Sequence, residues 1–463
     1  MLAAADLDDV AAVQLTAAPR LRLAVDRHGL LVEQRPRLRA RVGDTGELQE
    51  LPQPDHLAPD LDVAHAAQLV SSGGLRTVLE GIYHVYMRLA QGTLAVDFRT
   101  SATDPRMGPA VSRPTYSAIS LYSGAGGLDL GFTRAGFDVR WAIDSDAFAV
   151  RTYNANLAPH AVRGDVLATD PPADLQPDLV IGGPPCQGFS VIGRMDPGDP
   201  RSRHVDHFMD VVETFAPRAF VMENVKALGV NARWEHVRRR LLRRAGALGY
   251  ECRLSILNAC DYGVPQSRER MFLVGFLDGR PGVPEATTAG APPTVREALA
   301  RLPRFGAPGN DMLCAARVIP ARNPIMRPTA YRGSLLFNGS GRPLQLDAPA
   351  KTLPASMSGN ATPILDQDEI DHGAAPWVVE YHRRLREGGR PLRRAPRRLR
   401  RITVQEAAAL QTFPEGWEFV GPRNAQYRQI GNAVPPNLGQ AVARSVHDAL
   451  CRHDGSALEA VAA

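Results

Sequence analysis

At 463 residues, with 44% hydrophobic and 22% charged side chains, the chain has room for two or three domains. This is the make-up of an ordinary globular protein, which excludes a disordered or fibrous polypeptide. A net charge of +5 permits a polyanionic partner without requiring one. No uncharged apolar run approaches membrane-spanning length, and Met1 to Asp9 carries acids and no basic segment, so neither a transmembrane helix nor a signal peptide is expected.

The basic residues are almost all arginine, with Lys226 and Lys351 the exceptions. Arginine suits bidentate contacts to phosphate and guanine, although a GC-rich genome produces the same bias. The cysteines are Cys186, Cys252, Cys260, Cys314 and Cys451. None forms a C-x-x-C pair, so no zinc site is expected, and an odd, sparse set fits a reducing cytosol.

Residues 1 to about 114 read as a small accessory region, with extra contact to a partner as the functional alternative. Arg20 to Arg41 alternates apolar and basic residues as a hairpin would, and Val63 to Gln91 has helical spacing broken by Gly73-Gly74. Asp104 to Pro114 reads as a linker. Ser117 to Tyr122 is then a predicted strand, Ser123-Gly124-Ala125-Gly126-Gly127 a glycine turn, and Leu128 to about Gly136 a helix. Strand, glycine turn and helix make a nucleotide-cofactor site, because glycine lets the backbone approach a ligand closely. It is not the dinucleotide fingerprint, which needs glycine where Asp129 stands.

A second strand, Asp138 to Ile143, ends at Asp144, where an acid can accept from ribose hydroxyls. Asp146 reads as the cap of a helix from Ala147 to Leu157. Asp165, in Gly164-Asp165-Val166, reads on its own as a turn aspartate. A buried strand, Asp178 to Ile181, runs into Gly182-Gly183-Pro184-Pro185-Cys186-Gln187-Gly188-Phe189-Ser190. Two glycines and two prolines forbid regular structure there, so Cys186 sits on a loop at a strand end, a candidate nucleophile or a structural cysteine. Ile192 to Arg203 is polar and glycine-rich, and His204 to Phe215 is an amphipathic helix. The strand Arg218 to Met222 ends in Glu223-Asn224-Val225. A helix from Arg233 to Tyr250 and a strand from Cys252 to Ala259 precede Gln266-Ser267-Arg268-Glu269-Arg270, and Met271 to Phe276 is another strand.

From about Asp278 to Pro396 proline and glycine are frequent and no strand–helix alternation survives. Arg383 to Arg401 holds ten arginines and one acid, Glu387, a density that favours phosphate contact over a merely solvated face. Arg401 to Pro414 and Tyr427 to Pro436 close the patterned part of the chain.

In this order GGPPCQGFS, ENV, QSRER, RITVQEAAALQTFP and YRQIGNAVPP resemble the motifs of the DNA (cytosine-5)-methyltransferases, and the likeness runs from about residue 117 to 447. The glycine turn resembles that family's F-x-G-x-G loop for S-adenosylmethionine (SAM), with Tyr122 in place of the usual phenylalanine. Gln405 and Ala409 depart from positions where the family often has arginine. The resemblance implies an α/β fold: a Rossmann-like SAM-dependent methyltransferase sheet with a smaller inserted target-recognition domain and an unplaced N-terminal extension. The divisions expected are 1–114 accessory, 115–277 catalytic, 278–400 target recognition, 401–450 returning to the catalytic domain, and 451–463 tail.

The implied cofactor is SAM, held by Tyr122, Gly124, Gly126, Gly127, Asp144, Asp165, Val166, Pro185 and Asn432. The implied catalytic residues are Cys186, Glu223, Arg268 and Arg270, with Arg268 on the pyrimidine carbonyl and Arg270 there or on Glu223. Chemically, a thiolate added to carbon 6 of cytosine turns the ring into an enamine-like nucleophile, and a buried carboxyl group with a raised pKa can support N3. The partner implied is double-stranded DNA, methylated by a cytoplasmic enzyme acting as a monomer, with a restriction endonuclease for the same site as a further candidate. Two other readings stand beside it: a tRNA cytosine-5 methyltransferase, disfavoured by the long insertion, and a non-catalytic DNA-binding relative, disfavoured by the intact Cys186 and Glu223.

Overall fold

The computed structural model describes residues 115–185, 203–331 and 334–462, together with five short strands within residues 11–49. The chain divides into two compact units, Met1–Ala110 and Val111–Ala463. In the first unit β1 (Ala11–Val13), β2 (Leu23–Val25), β3 (Leu31–Glu33), β4 (Arg39–Val42) and β5 (Leu48–Gln49) form an antiparallel meander in sequence order. The alternation between Arg20 and Arg41 thus becomes the centre of a five-stranded sheet, with Leu23 opposite Glu33 and Val25 opposite Leu31. The helical spacing of residues 63–91 and the linker expected at 104–114 lie outside the described residues.

The second unit is built on a seven-stranded sheet in the order β11-β13-β10-β9-β6-β7-β8. These are β6 (Tyr116–Leu121), β7 (Phe137–Asp144), β8 (Ala161–Arg163), β9 (Leu179–Gly182), β10 (Ala219–Val225), β11 (Glu251–Asn258) and β13 (Glu269–Phe276). The strands from β8 to β10 are parallel, whereas β13 joins β10 antiparallel and β11 joins β13 antiparallel. Buried on both faces, the central strands read as continuous apolar runs. Leu179 and Ile181 enter one core with Phe132 and Leu438, while Val180 enters the other with Phe208 and Trp234.

Most expected elements stand within a residue or two of their boundaries. β10 runs beyond its expected end at Met222, through Glu223 to Val225, because β13 continues to pair with it after β9 has ended at Gly182. The helix expected from Arg233 begins as a 3₁₀ turn, Ala232–Trp234, and continues as an α-helix over Glu235–Ala247.

The region expected to form a separate recognition domain contributes to two cores. Val295, Leu346 and Leu353 pack with Ile402, Leu410, Tyr427 and Ile430, whereas Phe337, Ile364, Val378, Tyr381 and Leu399 form a smaller cluster. The short β16 (Ala350–Lys351) pairs with β12 (Gln266–Ser267), tying this region to the chain that leads into β13. The final helix, Pro436–Ala462, returns across the helix Gly127–Arg134 that follows the glycine turn. They meet at Gly131, where an added Cβ would lie 2.5 Å from the backbone nitrogen of Gln440. Gly131→Ala is therefore expected to destabilise the protein by about 1–3 kcal/mol, read as a lower melting temperature.

Candidate active site

The glycine turn follows β6 at the carboxyl edge of the parallel strands, where open α/β sheets bind ligands. Its shape is set by the neighbouring strand. Ser123 N–H donates to Ile143 O (3.0 Å) and Gly124 N–H to Asp144 Oδ2 (2.9 Å), while Asp146 N–H donates to Asp144 Oδ1 (2.8 Å). Asp144 thus organises the turn with both oxygens while staying at the strand end where a ribose acceptor is wanted. Gly124 and Gly126 take φ of 55° and 82°, the left-handed region that favours glycine. An added Cβ on Gly124 would meet nothing within 4 Å, so the backbone there is open to a ligand. Gly127 is covered instead: its added Cβ would lie 2.4 Å from Val434 O, in the segment just beyond Asn432.

The other expected cofactor residues fall around this turn unevenly. Asp146 caps the helix Ala147–Asn156, accepting from Phe148 N–H and Ala149 N–H, and also pairs with Arg428 at 2.7 Å. Asp165 is exposed and its Oδ1 accepts from Leu167 N–H (3.0 Å), a turn geometry that leaves its second oxygen for other partners. Val166 is buried in the core. Asn432 ends the helix Arg423–Asn432 and is exposed. Tyr122 has a φ of 57°, a conformation costing a tyrosine about 1–3 kcal/mol.

At the adjacent strand end, Glu223 is 9% exposed and its Oε1 lies 3.0 Å from Arg270 Nε. Burial pushes the Glu223 carboxyl above its ordinary range, opposed by the guanidinium groups of Arg270 and Arg268. Its other oxygen lies 3.0 Å from where a Cβ on Gly183 would stand, so glycine there leaves the carboxylate its place. Asn224 Nδ2 donates to Pro184 O (3.0 Å), pinning the start of the loop that runs through Pro185. Cys186 itself lies outside the described residues.

Arg268 is placed differently from the expectation that it faces a base. It is 1% exposed, with its guanidinium donating to Leu353 O (3.1 Å) and Gly431 O (2.9 Å). Alternation along the strand turns Arg268 and Arg270 alike away from Glu269, but Arg268 sits at the break between β12 and β13, where the chain from 353 and 431 closes over it. Arg270 is the arginine at the carboxylate. The arginine-rich run is also partly occupied: Arg383, Arg398 and Arg400 pair with Glu380, Asp366 and Glu406, and Arg401 is buried against Thr362 O. Arg384, Arg390, Arg393, Arg394 and Arg397 remain exposed. Gln405, a departure from the family pattern, accepts from Met312 N–H (3.2 Å).

Sequence reading missed Arg428, whose partner Asp146 is 282 positions away, and the buried pair Gln266 and Gln411 (3.1 Å), which joins the catalytic strands to the C-terminal motifs. Only the presence of each inside a recognised motif pointed to them. Asp129, in the first turn of the cofactor helix, is fully buried and accepts from Tyr153 O–H at 3.1 Å.

A family profile described as C-5 cytosine-specific DNA methylase matches residues 116–448, and the chain belongs to this family of cytosine-5 DNA methyltransferases. It is similar to the Type II methyltransferase M1.HphI of Haemophilus parahaemolyticus, at 34% identity over 349 residues covering 71% of this chain and 86% of the relative. The Type II methyltransferase M.DdeI of Desulfomicrobium norvegicum is 31% identical over 368 residues, covering 71% and 88%. Among solved structures, the Entamoeba histolytica methyltransferase EhMeth matches with a TM-score of 0.53 at 15% identity, covering 73% of this chain and 99% of that one. The S. pombe Dnmt2 methyltransferase matches with a TM-score of 0.50 at 20% identity, covering 73% and 98%. At these identities the structural likeness speaks for the fold alone. The family implies SAM as methyl donor, and the open backbone at Gly124 beside the Asp144 carboxylate fits such a group. No helix among the described residues is long and apolar enough to cross a membrane.

Arg268→Gln should lower stability by about 3 kcal/mol or more, since it removes charged hydrogen bonds from buried carbonyls. Arg270→Gln should instead chiefly lower kcat, as measured by parallel thermal melts and methyl-transfer assays. Burial pushes Asp129 up to about 6 from 3.8. The folded protein therefore holds that proton where the unfolded chain has lost it, and this contribution, complete below 3.8, is lost as pH rises through about 6. Asp129→Asn cannot ionise and keeps an acceptor for Tyr153. Its stability relative to wild type should rise by on the order of 2–3 kcal/mol across that window, seen in melts at successive pH values.

Proposed function

We propose that this enzyme methylates carbon 5 of a flipped-out cytosine within a specific short sequence of double-stranded DNA, through a covalent adduct on Cys186. The observation that carries the reading is the juxtaposition at one sheet edge of a buried carboxyl group, Glu223, paired to Arg270, with the strand end that leads into Pro185 and Cys186.

Extrusion of the base costs a few kcal/mol of stacking, offset by contacts in the pocket. The Cys186 thiolate adds to carbon 6, breaking the ring's 5,6 double bond and moving electron density toward N3 and carbon 5. Glu223, with its pKa raised by burial, holds a proton at N3, and Arg270 fixes the carboxylate and reaches toward the pyrimidine carbonyl. Bound SAM supplies an electrophilic methyl group. Once carbon 5 carries the methyl, loss of its proton to a base, water in the simplest case, restores the double bond and expels the Cys186 thiolate.

In this reading Tyr122, Gly124, Gly126, Gly127, Asp144, Asp165, Val166, Pro185 and Asn432 surround the methyl donor. Asp144 accepts from the ribose hydroxyls and Asp165 from the adenine amino group. Arg268 supports the site from behind. Residues 278–400 read the flanking bases, with the exposed arginines of 384–397 on phosphates, and residues 1–114 form an accessory unit. The Type II names of its relatives support a place in a restriction-modification pair, in which a cytoplasmic, monomeric methylase protects host sites from a cognate endonuclease.

Bisulfite sequencing of DNA from cells expressing the wild type should show protected cytosines at one recurring short sequence, and Cys186→Ser should show none. Unprotected DNA together with labelled tRNA would transfer the activity to RNA, and undiminished methylation by Cys186→Ser would overturn the covalent mechanism.

A further inference from the structure

We propose that Tyr122 and His204 form a hydrogen-bonded pair that holds the cofactor turn in its binding shape, making His204 a positioning residue for methyl-donor binding. The inference rests on reading Tyr122 to Gly127 as the SAM turn.

Tyr122 is the first residue after β6 and carries a left-handed backbone, φ 57°, that tyrosine seldom adopts. The hydrogen bonds of the turn fix the residues after it: Ser123, Gly124 and Gly126 each donate to a neighbouring acceptor. What faces the Tyr122 side chain is His204. The Tyr122 hydroxyl lies 3.1 Å from His204 Nδ1 and 3.4 Å from His204 O, and the two rings meet edge to face with centroids 5.4 Å apart. A hydroxyl has one proton. Donated to His204 O, it leaves the oxygen lone pairs to accept from Nδ1–H, which selects that tautomer. Imidazolium carries the same Nδ1–H, so the contact is the same in either charge state.

His204 is a firm anchor. It is the second residue of the helix Arg203–Phe215, whose Val205, Phe208 and Met209 are fully buried in the core under the sheet. Asp165 acts electrostatically on both Tyr122 and His204, which puts the pair beside the residue expected at the adenine. The phenylalanine usual at position 122 would keep the ring and lose the hydroxyl, so the pair belongs to this chain's own departure from the motif.

The test uses the full-length protein, with SAM dissociation constants from calorimetry and methyl transfer to DNA at saturating SAM. Tyr122→Phe and His204→Leu should each raise the dissociation constant roughly threefold to tenfold, the weight of one net hydrogen bond. The double variant should lose no more than the weaker-binding single variant. His204→Asn, which keeps an N–H near the Nδ1 position, should recover most of the affinity, and kcat should change far less than the dissociation constant. Additive losses, or unchanged affinity in Tyr122→Phe, would overturn the pair. A wild type that binds no SAM would instead overturn the assignment of the turn. In that case amide exchange at Gly124 and Gly126 without ligand still reads the pair: faster exchange in Tyr122→Phe supports it as a holder of the turn, and unchanged exchange removes it.

Discussion

The arrangement depends first on one buried guanidinium. Arg268 cannot lose its charge, so it is stable inside the protein only where carbonyl oxygens surround it. Those oxygens come from Leu353 and Gly431, one in the region inserted after the sheet and one in the helix that returns to it. Gln266 works alongside, accepting from Leu353 N–H (3.0 Å) and donating to Gln411 Oε1. Three stretches of chain far apart in sequence are therefore held at one point behind the catalytic edge. Removing the charge would leave several carbonyls unpaired at once, which is why the contact is a stronger constraint than an apolar packing of equal area.

In front of that point the electrostatics are arranged in the opposite sense. Glu223, Asp144 and Asp129 are carboxyl groups whose burial raises their pKa; the first two lie toward the ends of β10 and β7, and the third lies in the helix that follows β6. Each has a different partner, one ionic and two hydrogen-bonding. Glu223 has Arg270, Asp144 has the amide groups of the glycine turn, and Asp129 has the Tyr153 hydroxyl. Their placement follows from strand order: β10, β9, β6 and β7 lie side by side although helices and loops separate them in sequence.

Much of this was legible in the sequence. Apolar runs bounded by glycine and proline located β6, β7, β9 and β10, and local motifs located the turn and the Glu223 strand end. What sequence could not reveal were pairings between distant charges. Arg268 and Arg270 are two residues apart in one motif, and nothing local separates the one that closes on distant carbonyls from the one that meets Glu223. The arginine-rich run looked uniformly available, yet Arg398 and Arg400 are taken up by Asp366 and Glu406. Likewise residues 278–400 looked like one insertion by composition. Their division between two cores depends on short strands, such as Ala350–Lys351, that carry no periodic signal.

The cover that Val434 places over Gly127, and the crossing of Gly131 by Gly439 and Gln440, have a consequence for how the enzyme comes into being. Synthesis proceeds from the N-terminus, so β9 and the Glu223-bearing β10 leave the ribosome well before the segment that covers the glycine turn. A nascent chain thus carries the Glu223 strand end for some time with its glycine turn uncovered. The fold is completed as a late event, when the residues around 434–440 dock, and a messenger broken upstream of them yields a protein with the sheet but an uncovered glycine turn.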